Sequence, residues 1–264
     1  MTTVKVLETN VLHSSDVIYW LDGSTAEAQA SMLRINVPLD LQFTTRPGDL
    51  KMVNGVGKTA LLRRPTTEII NGIATPAQRE KPAEVAYPVA GVVSDPGGRF
   101  IPRSFSISAG NANGHALVLY PSPLGVRFSP AGGLIGSVRF DGGNNATWAL
   151  LTLTVTTALG GTLIFRGQAN GSGDFLLPLN RLPPLPEGIE HYVATLEISA
   201  LVAASATTPV DPADLTVVEV GSLGAQDDPP ANLIFSNPIG LNVVPGEIRV
   251  IRSASRDHLA VQPS

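Results

Sequence analysis

A glycine-rich segment has the residue types of a phosphate-binding loop. It consists of Gly55-Val56-Gly57-Lys58-Thr59, and a P-loop places such a Lys-Thr pair against phosphate and Mg²⁺. A P-loop also needs a glycine five positions before its second glycine, so that successive backbone N–H groups wrap the phosphates. That position is Met52. The segment is therefore predicted to be a solvent-facing turn.

Histidines are the second group of side chains that could do chemistry. A metal site needs three or four converging donors, and a catalytic histidine needs a nucleophile within reach. No histidine has a second ligand at helical or hairpin spacing, and no Gly-x-Ser-x-Gly motif of a hydrolase occurs. We therefore predict surface or core-edge positions for all four: His13, His115, His191 and His258.

Acidic pairs in proline-rich segments leave two alternatives open. Asp227-Asp228 and Asp211 with Asp214 could attract Ca²⁺, which prefers clustered loop carboxylates, or could be solvated turn residues. Neither spacing fits an EF-hand loop, which favours the turn. Asp95 and Asp174 are also predicted to cap turns. In sum, we predict no catalytic residue, no metal site, no cofactor and no enzymatic activity.

The two tryptophans could contact a ligand. Trp20 follows Tyr19, and Trp148 follows an asparagine-rich turn. Either ring could stack on a sugar or anchor a protein interface, and either could pack in a core. The sequence does not decide between these roles.

Composition limits the classes of partner. The net charge of −4 disfavours nucleic acid, because binding to phosphates needs a basic surface. No cysteine is present, which excludes disulfides and thiolate metal sites. No apolar run is long enough to span a membrane, and no secretory signal is evident, so we expect synthesis in the cytoplasm without membrane insertion. The 15% of charged residues, with 26 glycines and 22 prolines, is typical of a turn-rich β protein.

Residues 1–83 are predicted to form a strand-rich region and an arm. Val4–Leu7 and Val17–Leu21 have the composition of strands, and residues 24–33 have a Ser cap and an alanine-rich continuation typical of a short helix. Residues 33–43 alternate as a half-buried strand that Pro38 places at a sheet edge. Residues 63–82 contain three prolines and are predicted to be the connecting arm.

Short strand-like runs separated by turn signals recur from Pro88 onward. This spacing is typical of an antiparallel sandwich or barrel. In one example, the turn residues 170–174 lead directly into an apolar run, Phe175–Leu179. Phe175 and Leu177 are expected to point into the core, with Leu179 continuing that face.

Residues 134–200 resemble the carboxypeptidase regulatory-like domain, a transthyretin-like β-sandwich. The resemblance starts at Gly136-Ser137-Val138 and continues through Ala146 and the strand 148–155. It then includes the turn 170–175 and closes with Leu177-Pro178-Leu179, the Leu-Pro segment 182–188 and the strand 192–198. The resemblance implies the fold and no particular chemistry.

The Gly-Arg-Phe-Ile-Pro-Arg element at 98–103 and the Leu-Tyr-Pro-Ser-Pro element at 119–123 add a second resemblance. Together with the sandwich, they are similar to proteins encoded with phage tails and phage-tail-like contractile particles. This resemblance implies a virion or extracellular particle made in bacterial cytoplasm.

The predicted fold is mainly β: an antiparallel sandwich with strand-bearing extensions. Its predicted regions are 1–83, 84–133, 134–206 and 207–264, the third being the sandwich. The expected function is that of a non-catalytic structural subunit, present in multiple copies and held by protein–protein contacts. The flanking strands are expected to find their partners on neighbouring subunits. The alternative is an adhesive or carbohydrate-binding sandwich module.

Overall fold

The chain is mainly β. The computed structural model describes residues 16–63, 67–70, 73–76, 86–110, 113–125, 128, 130–158, 160–225 and 232–264. Within these ranges the helical segments are two single-turn 3₁₀ helices, Gln29–Ser31 and Pro212–Asp214. All other regular structure is strand, as the abundance of glycine and proline indicated.

The first nine strands build two small sheets and a separate hairpin. Their order across the sheets is β3-β4-β1-β9, β2-β7-β8 and β5-β6. The β1–β9 pairing is parallel and the others are antiparallel. The strands are β1 (Asp16–Asp22), β2 (Asp40–Thr45), β3 (Leu50–Gly55), β4 (Lys58–Arg63), β5 (Thr67–Ile70), β6 (Ile73–Pro76), β7 (Tyr87–Ser94), β8 (Arg103–Ala109) and β9 (Gly114–Leu119).

One hydrophobic core lies between the four-stranded and three-stranded sheets, and we call this unit the first sandwich. Trp20 on β1 and Phe105 on β8 meet edge to face, with ring centroids 5.7 Å apart. Ile18, Leu61 and Val89 are fully buried beside them. The core therefore draws on residues 18–61 and on residues 87–119.

The remaining ten strands form one large curled sheet. Its main path is β12-β11-β14-β15-β19-β10-β13, with β16 on β15, β17 on β14 and β18 on β10. The β10–β18 and β10–β19 pairings are parallel, so the sheet is mixed. The strands are β10 (Gly133–Phe140), β11 (Leu150–Thr156), β12 (Thr162–Gln168), β13 (Asp174–Pro178), β14 (Tyr192–Ala200), β15 (Thr216–Gly221), β16 (Phe235–Ser236), β17 (Ile239–Val243), β18 (Ile248–Val250) and β19 (Leu259–Pro263).

The curled sheet encloses the second core. Phe175, Leu177 and Leu179 are all buried in it, which confirms the orientation predicted for this run. Gly136 on β10 pairs with Phe175, and a Cβ on Gly136 would lie 3.0 Å from the phenylalanine ring. The glycine therefore makes room for the ring.

Strands from residue 216 onward belong to this same core. Val218, Leu241, Ile251 and Val261 are buried within it. β19 lies between β15 and β10, at the middle of the sheet path. The sequence-based expectation that the strand candidates at 33–43 and 247–251 need a neighbouring subunit is therefore wrong, because β2 pairs with β7 and β18 with β10 in the same chain.

Two local predictions in the first 45 residues fail. The helix expected at 24–33 is only the 3₁₀ turn Gln29–Ser31. The Asp22 carboxylate accepts hydrogen bonds from Ser24 N and Ser24 Oγ, which sets a turn where a helix would start. The strand expected at 33–43 begins only at Asp40, after Pro38. The strand expected at Val4–Leu7 lies outside the described residues.

Polar contacts join the two cores. Arg103 Nη2 donates to Asp211 Oδ1 at 2.5 Å, and both side chains are largely buried. Glu27 Oε2 accepts from Ile164 N on the outer side of β12 at 3.4 Å, and Ile164 O accepts from Arg181 Nη2. The bonds from Glu27 and Arg181 satisfy Ile164 N and Ile164 O, which would otherwise be unpaired because β12 is an edge strand.

Candidate interaction cleft

Two of the described histidines each contact a carboxylate. His115 Nε2 lies 2.9 Å from Asp16 Oδ1, and His258 Nδ1 lies 2.5 Å from Asp257 Oδ1. The hydrogen bond with His258 holds the pKa of Asp257 below its ordinary value. His191 is exposed, and His13 lies outside the described residues. Among the residues that the structure describes, no three His, Asp or Glu side chains are close enough together to hold a metal ion.

Acidic residues serve mostly as turn caps and anchors. Asp95 accepts from Gly97 N and Arg99 N, both at 2.8 Å, which confirms its predicted capping role. In the turn before β13, the cap is Asn170, whose Oδ1 accepts from Ser172 N and Asp174 N. The prediction that Asp174 caps this turn is therefore wrong, because Asn170, four residues earlier, supplies the side-chain acceptor. Asp211 accepts from Ala213 N as well as from Arg103, and Asp227-Asp228 lies outside the described residues.

Trp148 is a core residue in this structure. Its side chain is buried, and its Nε1 donates to Ser205 O at 2.8 Å. Its backbone adopts φ of 61°, a left-handed conformation that is uncommon outside glycine. The ring therefore holds the segment around residue 205 and offers no face to a sugar.

The segment that resembled a P-loop is the tight turn of a hairpin. Gly55 pairs with Lys58 across the β3–β4 connection, and Gly57 takes φ of +66°. A Cβ on Gly57 would lie 2.7 Å from Ile35 O, so the turn packs against the chain that leads into β2. Gly57 O also accepts from Trp20 N at 3.1 Å. The prediction of a turn is confirmed, although this glycine is buried.

Trp20 and this turn come together in a polar chain. Trp20 Nε1 donates to Thr59 Oγ1, and Thr59 Oγ1 donates to Asn54 Oδ1, both at 3.0 Å. Trp20 and Thr59 are each 1% exposed, whereas Asn54 is exposed. The first core therefore packs against the indole ring of Trp20, and the β3–β4 hairpin holds its N–H through Thr59.

An open cleft of about 250 Å³ lies over this chain. One wall is the segment that leads into β2, and the other is the β3–β4 turn. Apart from Asn54 and Thr59, the lining is mainly apolar. Val56 at the turn is 66% exposed, and Val53 on β3 is 47% exposed. The lining residues are Trp20, Pro38, Leu39, Leu41, Asn54, Gly55, Val56 and Thr59.

A free strand edge borders the cleft. β3 pairs with β4 on one side, and no strand of the described ranges pairs with its other side. At its beginning, Leu50 N donates to Pro47 O and Leu50 O accepts from Arg46 Nη1. From Lys51 to Gly55, no other described residue bonds to this edge. An apolar cleft beside an open edge is a surface suited to strand addition.

The polar chain under the cleft should be needed for stability. We expect Thr59→Val to lower the free energy of unfolding by about 1–3 kcal/mol, because the buried indole N–H loses its acceptor. Thr59→Ser keeps the hydroxyl and should retain most of that free energy. Urea unfolding followed by tryptophan fluorescence measures both variants, and equal losses would show that the hydrogen bond contributes little.

The arrangement would have been hard to find from sequence. The sequence drew attention to Trp20 as a ring that could stack on a sugar or anchor an interface, and to the Gly55–Thr59 segment as a possible phosphate loop. Nothing in the spacing indicated that they share one cleft.

No helix among the described residues is long and apolar enough to cross a membrane. No family model, curated protein or solved structure matches the chain.

Proposed function

We propose that this chain is a non-catalytic structural subunit of a phage tail or phage-tail-like contractile particle, present in multiple copies. It acts through protein–protein contacts in a virion or extracellular particle that is assembled from subunits made in the bacterial cytoplasm. The observation that carries the proposal is the cleft over Trp20 with the open edge of β3 beside it.

The physical reason is the cost of leaving such a surface in water. An open edge leaves backbone donors and acceptors available to any extended segment that can align with them. Exposed Val53 and Val56 add apolar area that a partner would remove from water. A partner strand would pair with the open backbone groups and also cover the exposed valines. In an assembly, neighbouring subunits supply such strands.

The finer fold assignment is part of this proposal. We place a transthyretin-like sandwich of the carboxypeptidase regulatory-like type at 134–206. Its Gly-x-Val element lies on β10, and its turn and Leu-Pro segment bracket β13. Strands from beyond residue 206 then widen that unit into the mixed curled sheet.

The carbohydrate-binding alternative would need a different aromatic platform. Trp20 is 1% exposed and Trp148 is 5% exposed. Because both rings are enclosed, neither can stack on a sugar in this conformation.

Incorporation into particles tests the proposal. Particles are sedimented from bacteria that encode this chain and probed with an antibody against it. We expect the wild-type chain to sediment with them and Val56→Glu to be depleted from them, because a buried carboxylate at the interface would be unpaired. Val193→Glu is the matched control, since Val193 is 60% exposed on β14, in the curled sheet. A wild-type chain that stays in the supernatant would refute the proposal.

A further inference from the structure

Asn-Gly pairs are the sequence context in which an asparagine loses its side-chain amide most readily. Three such pairs lie in the described residues: Asn54-Gly55, Asn113-Gly114 and Asn170-Gly171. The backbone nitrogen of the glycine attacks Cγ of the asparagine, and the missing Cβ leaves that approach unhindered. The reaction also needs an asparagine side chain that is free to turn and a glycine N–H that is not hydrogen-bonded. The structure distinguishes the three pairs on both counts.

The Asn54 side chain is held in the β3–β4 hairpin. Its Oδ1 accepts from Thr59 Oγ1 at 3.0 Å. Gly55 pairs with Lys58 on either side of the two-residue turn, where the closing pair of such a hairpin exchanges backbone hydrogen bonds. Attack by Gly55 N on this asparagine would therefore first have to break bonds at both reacting groups.

The Asn170 side chain is held by the turn that it caps. Its Oδ1 accepts from Ser172 N at 2.8 Å and from Asp174 N at 3.0 Å. Gly171 is packed closely, since a Cβ there would lie 2.4 Å from Ala206 O. This pair is therefore fixed away from the geometry that the reaction needs.

Asn113 and Gly114 meet both requirements at the start of β9. Asn113 is exposed, and its side-chain amide makes no hydrogen bond with another described residue. Val17 N donates to Asn113 O at 3.0 Å, and Val17 is the ladder partner of Gly114, so the parallel pairing turns Gly114 N–H away from β1. β9 is the outer strand of its sheet, and the carbonyls of Ala116 and Val118, which face the same way, accept from side chains. Among the described residues, nothing bonds to Gly114 N.

We propose that Asn113 is a site of spontaneous deamidation. A C–N bond forms between Gly114 N and Asn113 Cγ, and the side-chain NH₂ leaves as ammonia with the proton of the glycine nitrogen. A succinimide ring remains, and one water molecule opens it at either of its two carbonyls. The products are aspartate and isoaspartate, and no atom is oxidised or reduced at any step.

The modification would weaken the anchorage of β9 on β1. In isoaspartate the chain reaches Gly114 through the former side chain, which adds one methylene to the backbone. The carbonyl that accepts from Val17 N then becomes part of a free carboxylate. Both products also place a new carboxylate near that of the buried Asp16, whose Oδ1 accepts from Asn113 N at 3.0 Å. Deamidation should therefore loosen the start of the β1–β9 ladder.

Timed incubation of the purified full-length chain tests the proposal. Wild type and Asn113→Gln are kept at mildly alkaline pH, which favours the attacking nitrogen, and are sampled over several weeks. Peptide mapping by tandem mass spectrometry gives the fraction converted at each asparagine, and an isoaspartate-specific methyltransferase identifies the isoaspartate product. Asn113→Gln is the matched control, because glutamine would have to close a larger ring. Its exposed side chain replaces one that bonds to no described residue, so the variant should fold like the wild type.

We expect conversion at Asn113 to be at least about tenfold faster than at Asn54 or Asn170, the factor that one hydrogen bond of average strength implies. Hydrogen exchange of the Val17 amide should speed up in the aged wild type and stay unchanged in aged Asn113→Gln, which keeps every other asparagine. No conversion at Asn113, or conversion no faster than at the two held asparagines, would overturn the assignment of the site. Val17 exchange that stays the same in converted protein, or that rises equally in the aged variant, would overturn the loosening of the ladder.

Discussion

Replacing Phe175 by alanine should destabilise the protein more than any other change considered above. We expect a loss of about 3–5 kcal/mol in the free energy of unfolding, the usual cost of deleting a fully buried aromatic ring. Phe175 is 2% exposed and packs between β10 and the rest of the second core. Gly136 directly opposite has no side chain that could move into the space. Guanidinium unfolding followed by circular dichroism measures the loss.

A second phenylalanine provides the control for this measurement. Phe235 on β16 is partly exposed and lies outside the second core cluster. We expect Phe235→Ala to cost less than half as much as Phe175→Ala, because the truncated ring leaves no enclosed cavity. Equal losses would contradict the packing described here.

Replacing Asp16 by alanine should have the next largest effect, about 2–5 kcal/mol of unfolding free energy. This carboxylate is 1% exposed at the start of β1. It accepts hydrogen bonds from Gly110 N, from Asn113 N at 3.0 Å and from His115 Nε2 at 2.9 Å. Alanine would leave these donors without their acceptor, and Gly110, unlike the exposed Asn113, is buried. Chemical denaturation gives the loss, and amide hydrogen exchange at Gly110 and Asn113 shows where it arises.

Asp95→Ala is the matched control, because Asp95 also accepts from two backbone N–H groups. Asp95 is itself buried, but Gly97 and Arg99 are exposed, so water can replace the carboxylate at both N–H groups. We expect a loss of about 1 kcal/mol. A loss as large as that of Asp16→Ala would mean that the buried Gly110 N–H is not what makes Asp16 important.

Local patterns predicted the elements of the second core well. Alternation and turn signals placed β11, β13 and β14, and the apolar run after Asn170 identified Phe175 and Leu177 as core residues. They could not predict the sheet, because pairing is decided by contacts between distant residues. Val138 meets Leu259 in a parallel ladder, and no local pattern near either residue indicates that partner. The widening of the sheet by the strands beyond residue 206 was missed for this reason.

The candidate cleft shows the same limit at the level of a site. The sequence correctly indicated that Gly55–Thr59 is a turn, since the glycine needed for a phosphate loop is absent. It left the role of Trp20 open between core packing and an exposed contact. The structure makes Trp20 the floor of the cleft through Thr59, a residue 39 positions away. Long-range hydrogen bonds of this kind depend on the fold and have no local signature.

The central position of β19 also sets an order of events during synthesis. The partners Val138 and Leu259 are 121 positions apart, so the ribosome must deliver all the residues between them before that ladder can form. The first sandwich is complete once β9 has emerged, whereas β10 and β15 must wait with their central edges uncovered until β19 arrives. Ladders between such distant residues also close slowly. Between the emergence of β9 and that of β19, the nascent chain therefore carries one finished sandwich and one unfinished sheet, whose uncovered edges can pair with other growing chains.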